Sequence, residues 1–430
     1  MADSIGEDYL QHSLANGVRL VLVPAPHLHS VELVCYVGVG SRDETRAQAG
    51  LSHVVEHMLF RGNSRYASGP LIEQAFERCG SSVNAATDVE STSFFARVHP
   101  AATAEALELF ALLLRTPRFQ QLETEKAIIL EEALGDYNAD GEDVCIDNHI
   151  GRLLWGDHAL GQPVIGYPES IRSFTVEQVR AWYQRYYVPG NLLIVLAGPL
   201  TLAEVLPAVD RAFGDWQPAP LPARDFPLPP PVIGPRFAWV ADNDAQLSVQ
   251  LAWRTGGYRD PASPALRALR RLLAEGGVSR LMSSLREDAG LTYHVDASLE
   301  EYPACGCLTI DLTSEPDKLV RVVETLRREV VRACQPASAA EVQHLIRTAL
   351  HQLDFSRDSV EELAGRYGWG LFSGQLRTLQ QERQLWQQLT AEAIVTAAAQ
   401  VLRPEQLCFA CVGPWRAADR QQVEALLRVL

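Results

Sequence analysis

Apolar runs and amphipathic stretches follow one another along this chain in an order that occurs twice. Val31-Glu32-Leu33-Val34-Cys35-Tyr36-Val37-Gly38 reads as a strand ending in a turn with Gly and Asp; Gln246-Leu247-Ser248-Val249-Gln250-Leu251-Ala252-Trp253 reads as a second, followed by Gly256-Gly257-Tyr258-Arg259-Asp260. Each is followed by a helical pattern. Paired strands are predicted next, over Ser82–Val98 and over Leu291–Leu312, then helices over about Ala101–Leu114 and Pro316–Val331. A further helix begins near Glu123 in one half and near Ala339 in the other. The literal identity between the halves is low, so the duplication rests on pattern. Strands that neighbour one another in sequence, with helices grouped together, predict an α+β fold: two duplicated units, each a mostly antiparallel sheet with helices packed on one side.

Eight of the chain's 25 prolines fall between Pro218 and Pro235, which excludes a regular helix or a central strand there. The predicted organisation is therefore an N-terminal domain over 1–216, a proline-rich linker over 217–236 and a C-terminal domain over 237–430. A length of 430 residues suits two domains. The net charge of −15 opposes nucleic-acid binding and would suit positively charged or unfolded peptides. Met1-Ala2-Asp3-Ser4-Ile5-Gly6-Glu7-Asp8 lacks the basic and apolar regions of a secretory signal, and no apolar run reaches membrane-spanning length. Eight cysteines in a chain of this size do not make a disulfide framework, so the expected compartment is reducing and cytoplasmic, with no membrane partner. Cys408-Phe409-Ala410-Cys411 has redox or metal spacing but lies in an apolar run, Leu407 to Val412, that reads as a buried strand.

The strongest chemical signal is His53-Val54-Val55-Glu56-His57, inside a helical pattern that Gly62 would stop. Residues four apart share a helix face, so His53 and His57 would aim two imidazoles at one point with Glu56 beside them. The spacing is that of the inverted zinc-peptidase motif H-x-x-E-H, whose middle Glu is a base and not a ligand. A third ligand must come from elsewhere. In Glu125-Lys126-Ala127-Ile128-Ile129-Leu130-Glu131-Glu132, Glu125 and Glu132 lie two turns apart on one face. Glu132 can serve as ligand and Glu125 as the carboxylate that orients a bound imidazole. Glu131 is the alternative ligand, about 100° around the helix. A rival signal follows: Asp136-Tyr137-Asn138-Ala139-Asp140-Gly141 with Asp147 fits a calcium loop ending in Asp.

With these residues in place the chain resembles the pitrilysin, or M16, metallopeptidases, the family of the mitochondrial processing peptidase and insulin-degrading enzyme. Gly80-Ser81-Ser82-Val83-Asn84-Ala85-Ala86-Thr87 with Ser93-Phe94-Phe95 resembles the family's substrate-binding edge strand, which implicates Asn84, Ala85 and Thr87. His158-Ala159-Leu160-Gly161-Gln162-Pro163-Val164-Ile165-Gly166 resembles its segment after the metal helices, and Tyr187-Val188-Pro189-Gly190-Asn191 its end-of-domain pattern. Leu285-Arg286-Glu287-Asp288-Ala289-Gly290-Leu291-Thr292-Tyr293 resembles the second-half motif whose Arg and Tyr contribute to the active site. A mild departure is Arg61-Gly62-Asn63 where Lys-Gly-Thr is common.

The resemblance implies a single-half subunit of the M16B type and a chamber built from two facing halves. The expectation is a zinc endopeptidase for unfolded peptides. His53, His57 and Glu132 would hold Zn2+ and Glu56 would act as base, with Arg286 and Tyr293 reaching the zinc of a partner chain. A homodimer is expected first, a heterodimer with a metal-less paralogue second. The alternatives are a leader-peptide maturation protease acting with such a paralogue, and a non-catalytic scaffold relative.

Overall fold

The long apolar runs become the central strands of two sheets. In the computed structural model, which describes residues 4–5, 8–221, 223–224 and 226–429, the first sheet has seven strands. They are β1 (Ser4–Ile5), β2 (Leu10–Ser13), β3 (Arg19–Pro24), β4 (Val31–Val37), β5 (Asn84–Thr87), β6 (Thr92–Val98) and β7 (Leu192–Gly198), in the order β1-β2-β3-β7-β4-β6-β5. The second sheet has β8 (Arg236–Ala241), β9 (Leu247–Thr255), β10 (Val295–Glu301), β11 (Gly306–Ser314) and β12 (Cys408–Gly413), in the order β10-β11-β9-β12-β8.

The duplication is written in this strand order. Taken in sequence, β3 to β7 correspond to β8 to β12. In both sheets the first of the five strands pairs in parallel with the last, and every other pairing is antiparallel. The first sheet adds β1 and β2 beyond β3. Each half therefore repeats one topology although its residues have diverged.

Contacts divide the chain into two compact units built from non-consecutive segments. The first takes the described residues up to Ala133, with Gln162–Phe226 and Gln352–Glu382; the second takes Leu134–Gly161, Pro227–His351 and the described residues from Arg383 onward.

In the first unit Leu20, Leu22, Leu33, Cys35, Ile194 and Leu196 turn to one face, where they share a core with the helices Leu51–Leu59, Gly69–Cys79 and Thr103–Arg115. On the other face Val21, Val34, Leu193 and Val195 meet the helix Val360–Ser373 through Val360, Leu363, Ala364 and Tyr367, which are spaced i, i+3, i+4, i+7. Burial on both faces is why β7, Leu192–Gly198, is buried at every position and reads as an unbroken apolar run. The second unit follows the same plan. Val249, Leu251 and Trp253 enter its main core, while Gln250 donates to Asp147 at 3.0 Å and Arg254 lies 4.7 Å from the Trp155 ring, both on the helix Ile146–Trp155. Helices thus group on one face of each sheet as expected, and one more helix covers the other face.

Two glycines fix the start of the helix Leu51–Leu59. Gly50 caps it with φ +91°, and Gly166 lies against it with φ +88°; a Cβ on Gly166 would fall 2.3 Å from the Ala49 carbonyl oxygen. Gly166→Ala should therefore destabilise the protein by more than about 1 kcal/mol, because both the backbone angle and the close approach forbid a side chain. Gly365→Ala is expected to have the opposite sign: it lies inside a helix with nothing within 4 Å of its would-be Cβ, and should stabilise by about 0.5–1 kcal/mol. Denaturant midpoints at constant slope check both.

Candidate metal centre

The nine-residue helix Leu51–Leu59 carries the motif, and its first turn is anchored by a carboxylate. Glu44, itself buried, accepts from Gly50 N at 2.7 Å and from Ser52 N at 2.6 Å, satisfying donors that a helix start leaves free. Burial pushes the Glu44 carboxyl up to about 8, and the two N–H bonds pull against that shift. Trp182 Nε1 donates to Ser52 Oγ at 3.2 Å and fixes the same turn from the side.

From this support His53 and His57 converge. Their Nε2 atoms stand 3.2 Å apart with the rings at 79°. Glu132, the last residue of the helix Leu122–Glu132, brings Oε1 to 4.0 Å from His53 Nε2 and Oε2 to 3.7 Å from His57 Nε2. Glu125, one face and two turns away, places Oε2 2.9 Å from His57 Nδ1. If that nitrogen carries the proton, as a carboxylate neighbour favours, the Nε2 lone pair of His57 faces the cluster. Arg61 Nε donates to the other Glu125 oxygen. Glu131 is exposed.

The donor set fits zinc. Ligands about 2.0–2.1 Å from a tetrahedral ion stand about 3.3 Å apart, close to the spacing of the two imidazole nitrogens. Burial, and then His57, lower the His53 pKa to about 4; burial lowers that of His57 as well. Both shifts favour the neutral imidazole, the form that binds a metal. His53 Nδ1 is buried without a hydrogen-bond partner among the described residues. Glu132 is half exposed, so the cluster is open on its side.

Glu56 stands beside the cluster and outside it. Its carboxylate is 7% exposed, and Thr87 Oγ1 donates to its Oε2 at 2.5 Å. Burial raises its pKa; the Thr87 hydrogen bond and the nearby His57 lower it by less. Thr87 ends β5, which forms the edge of the first sheet and, among the described residues, pairs only with β6. Asn84 on the same strand is exposed and Ala85 half-buried.

Arg286 and Tyr293 come together in the second unit, the guanidinium 5.1 Å from the ring centroid. Tyr293 is 82% exposed, unusual for so large a ring, and Arg286 Nε lies 3.5 Å from Glu287. The segment Met282–Glu287 is wound as a π-helix, with Asp288 N donating five residues back to Ser283 O at 2.9 Å, a geometry common at functional sites.

The rival signals assemble nothing comparable. Asp143 takes the Cys145 N–H and Arg152, Asp147 takes Gln250, and Asn138 caps the turn at Asp140 and Glu142. Among the described residues, His53, His57 and Glu132 form the one group of three or more His, Cys, Asp or Glu side chains whose ligating atoms lie together. Cys408 and Cys411 sit three apart on β12, so they face opposite sides of the sheet, and none of the eight cysteines is in a disulfide. Glu44 carries no signal in the sequence and Arg61 reads there only as a mild departure from the family pattern; their partners in the fold, Gly50 and Ser52 for the one and Glu125 for the other, reveal them.

Two-unit architecture with one inverted zinc-peptidase helix defines a class, and comparison with known proteins names it. The family model described as "Insulinase (Peptidase family M16)" matches residues 19–167, and the one described as "Peptidase M16 inactive domain" matches residues 173–349. A protein of Mycobacterium leprae named as an uncharacterized zinc protease is 29% identical over 97% of this chain and 94% of its own length. One of Mycobacterium tuberculosis with the same description is 31% identical, covering 72% of this chain and 71% of its own. Among solved structures, a protease from Helicobacter pylori matches with a TM-score of 0.86 at 21% identity over 94% of this chain and 99% of its own. The periplasmic protease PqqL from Escherichia coli matches with a TM-score of 0.81 at 19% identity, over 100% of this chain and 50% of PqqL. This chain belongs to the M16 peptidase family.

Glu125→Gln should weaken zinc binding by about 10–100-fold, because the imidazole loses the carboxylate that orients it. Glu131→Gln should leave zinc affinity within threefold, or about 0.65 kcal/mol. Chelator competition measures both; a large loss from the Glu131 variant would transfer the ligand role.

Proposed function

We propose that the chain is a zinc-dependent endopeptidase that cleaves unfolded peptides or short protein segments. The observation that carries this reading is the buried Glu56 carboxylate, excluded from the His53–His57–Glu132 cluster yet hydrogen-bonded to a free edge strand. A structural metal site has no need of such a group.

His53, His57 and Glu132 hold the zinc, which when bound supplies a Lewis acid that polarises the scissile carbonyl and acidifies water. Glu125 and Arg61 hold His57 in its ligating orientation. Glu56 takes the proton from the attacking water and passes it to the leaving amine. Burial holds its pKa above the ordinary carboxylate value, the direction that favours accepting a proton. Asn84, Ala85 and Thr87 on β5 bind an extended substrate backbone by strand addition. Arg286 holds a substrate carbonyl through its fork of donors, and Tyr293 donates to the developing oxyanion.

A homodimer whose halves enclose a chamber accounts for the exposed Arg286–Tyr293 pair, which then serves the zinc of a partner chain. The match to half the length of PqqL supports one such half per chain. A heterodimer with a metal-less paralogue is the other assembly: the helix Ser263–Ala274, counterpart of Leu51–Leu59, has neither His nor Glu, so loss of the metal motif is compatible with the fold. None of the helices described is long and apolar enough to cross a membrane, and eight cysteines with no disulfide among them fit a reducing compartment, for which we retain the cytoplasm.

Glu56→Gln should keep zinc stoichiometry and lose at least about 100-fold in kcat on a quenched fluorescent peptide, the range expected for a lost general base. Near-normal turnover refutes the assignment. Mixing Glu56→Gln with Tyr293→Phe chains should restore activity that neither has alone, because one of the mixed sites is intact; no recovery under demonstrated subunit exchange refutes the shared site.

A further inference from the structure

The proline-rich segment reaches the candidate site of the first unit through Arg224. Arg224 Nε donates to Asp43 Oδ1 at 3.0 Å and its Nη2 to Asp43 Oδ2 at 2.9 Å, a two-pronged grip on a carboxylate that is 3% exposed. The same Nη2 donates to the Glu90 carbonyl oxygen at 2.9 Å. Asp43 immediately precedes Glu44, the carboxylate that anchors the first turn of the metal helix. Glu90 lies in the turn between β5 and β6, which is laced to the same loop by Ser41 N to Asp88 O at 3.1 Å and Arg42 N to Val89 O at 2.9 Å. Arg42 closes the network on the Glu90 carboxylate at 2.5 Å, and the Phe226 ring lies 4.3 Å from the Arg42 guanidinium and 4.9 Å from that of Arg224. One side chain thus bridges the loop that sets the metal helix and the hairpin whose strand delivers Thr87 to Glu56.

We propose that Arg224 is a positioning residue: it holds the β5–β6 hairpin in register with the metal helix, so that Thr87 orients the Glu56 base and the edge strand stands where a peptide can meet it. This rests on the peptidase reading of Glu56. It assigns the proline-rich segment a part in the site. A guanidinium suits the task because its planar fork grips both carboxylate oxygens while one of its nitrogens also reaches a carbonyl, a bidentate fit that the point charge of a lysine does not offer. Asp43 is buried and the Arg224 side chain is 21% exposed, so salt screens the pair less than one on the surface.

The test uses the full chain with Arg224→Ala, Arg224→Lys and the gentler Asp43→Asn, which keeps the side-chain size should Arg224→Ala fail to fold. Hydrogen exchange of the segment 84–91 should speed up by about tenfold or more in Arg224→Ala, while zinc stoichiometry and exchange of the main core stay unchanged. On a quenched fluorescent peptide kcat should fall by about tenfold or more, with a smaller change in KM, and Arg224→Lys should recover only part. Combined with Thr87→Val, Arg224→Ala should cost much less than the product of the two single effects, because both act through one hydrogen bond. Unchanged exchange over 84–91, or losses that multiply, overturns the proposal. If neither wild type nor Glu56→Gln cleaves anything, the peptidase reading fails separately, and the exchange data still decide whether Arg224 holds the hairpin.

Discussion

The structure depends on a small volume in which two imidazoles and a carboxylate converge. Their ligating atoms lie within 4.8 Å of one another, and burial lowers the pKa of both rings. With each ring's lone pair turned inward such a set is unfavourable alone: lone pairs repel, and the buried imidazoles have lost the water that would satisfy them. A divalent cation resolves both costs at once. Glu125 and Arg61 reinforce the arrangement by pinning the far side of His57, so that the ring has one useful orientation. The charge balance fits the same picture, since Arg61 offsets Glu125 and leaves Glu132 facing the centre.

A helix of nine residues cannot by itself hold two imidazoles to the precision that a metal requires. Its support comes from outside. Gly50 and Gly166 let two backbone segments approach to a distance that any side chain would forbid, and Glu44 ties the first turn through two backbone amides. The duplicated unit shows what the fold alone provides. Its corresponding helix, Ser263–Ala274, follows the same strand in the same topology and packs Leu266, Leu269 and Leu273 into its core, without a single metal-binding side chain. The scaffold is therefore indifferent to the chemistry, which lies in residues grafted on one of two copies.

What could be read in the chain beforehand follows from how local each signal is. His53, Glu56 and His57 were legible because helical spacing alone puts them together, and Glu125 with Glu132 because seven residues make two turns. The strands were legible from apolar runs such as Leu192–Gly198. The exchange of helices between segments was not legible: the spacing of Val360, Leu363, Ala364 and Tyr367 shows that one face is buried, but not which sheet covers it. Glu44, Arg61 and Arg224 stayed hidden for a related reason. A charged residue outside a helix carries no periodicity, and each acquires its meaning from a partner brought close by the fold.

Thr87 joins the two kinds of information. On an edge strand a threonine is ordinary, favoured for its branched side chain. Here its hydroxyl donates to the Glu56 carboxylate, while its backbone belongs to a strand that, among the described residues, pairs only with β6. A segment that adds to that edge must present unpaired N–H and C=O groups along an extended stretch, a condition that a folded protein meets only in its loops and termini. On the proposed peptidase reading, selection for unfolded chains needs no side-chain pocket: backbone pairing would align the peptide, and the same strand would hold the carboxylate that activates water against it. Sequence preference, on this view, is a secondary property set by the residues flanking Asn84 and Ala85, whereas the demand for extended backbone is built into the sheet.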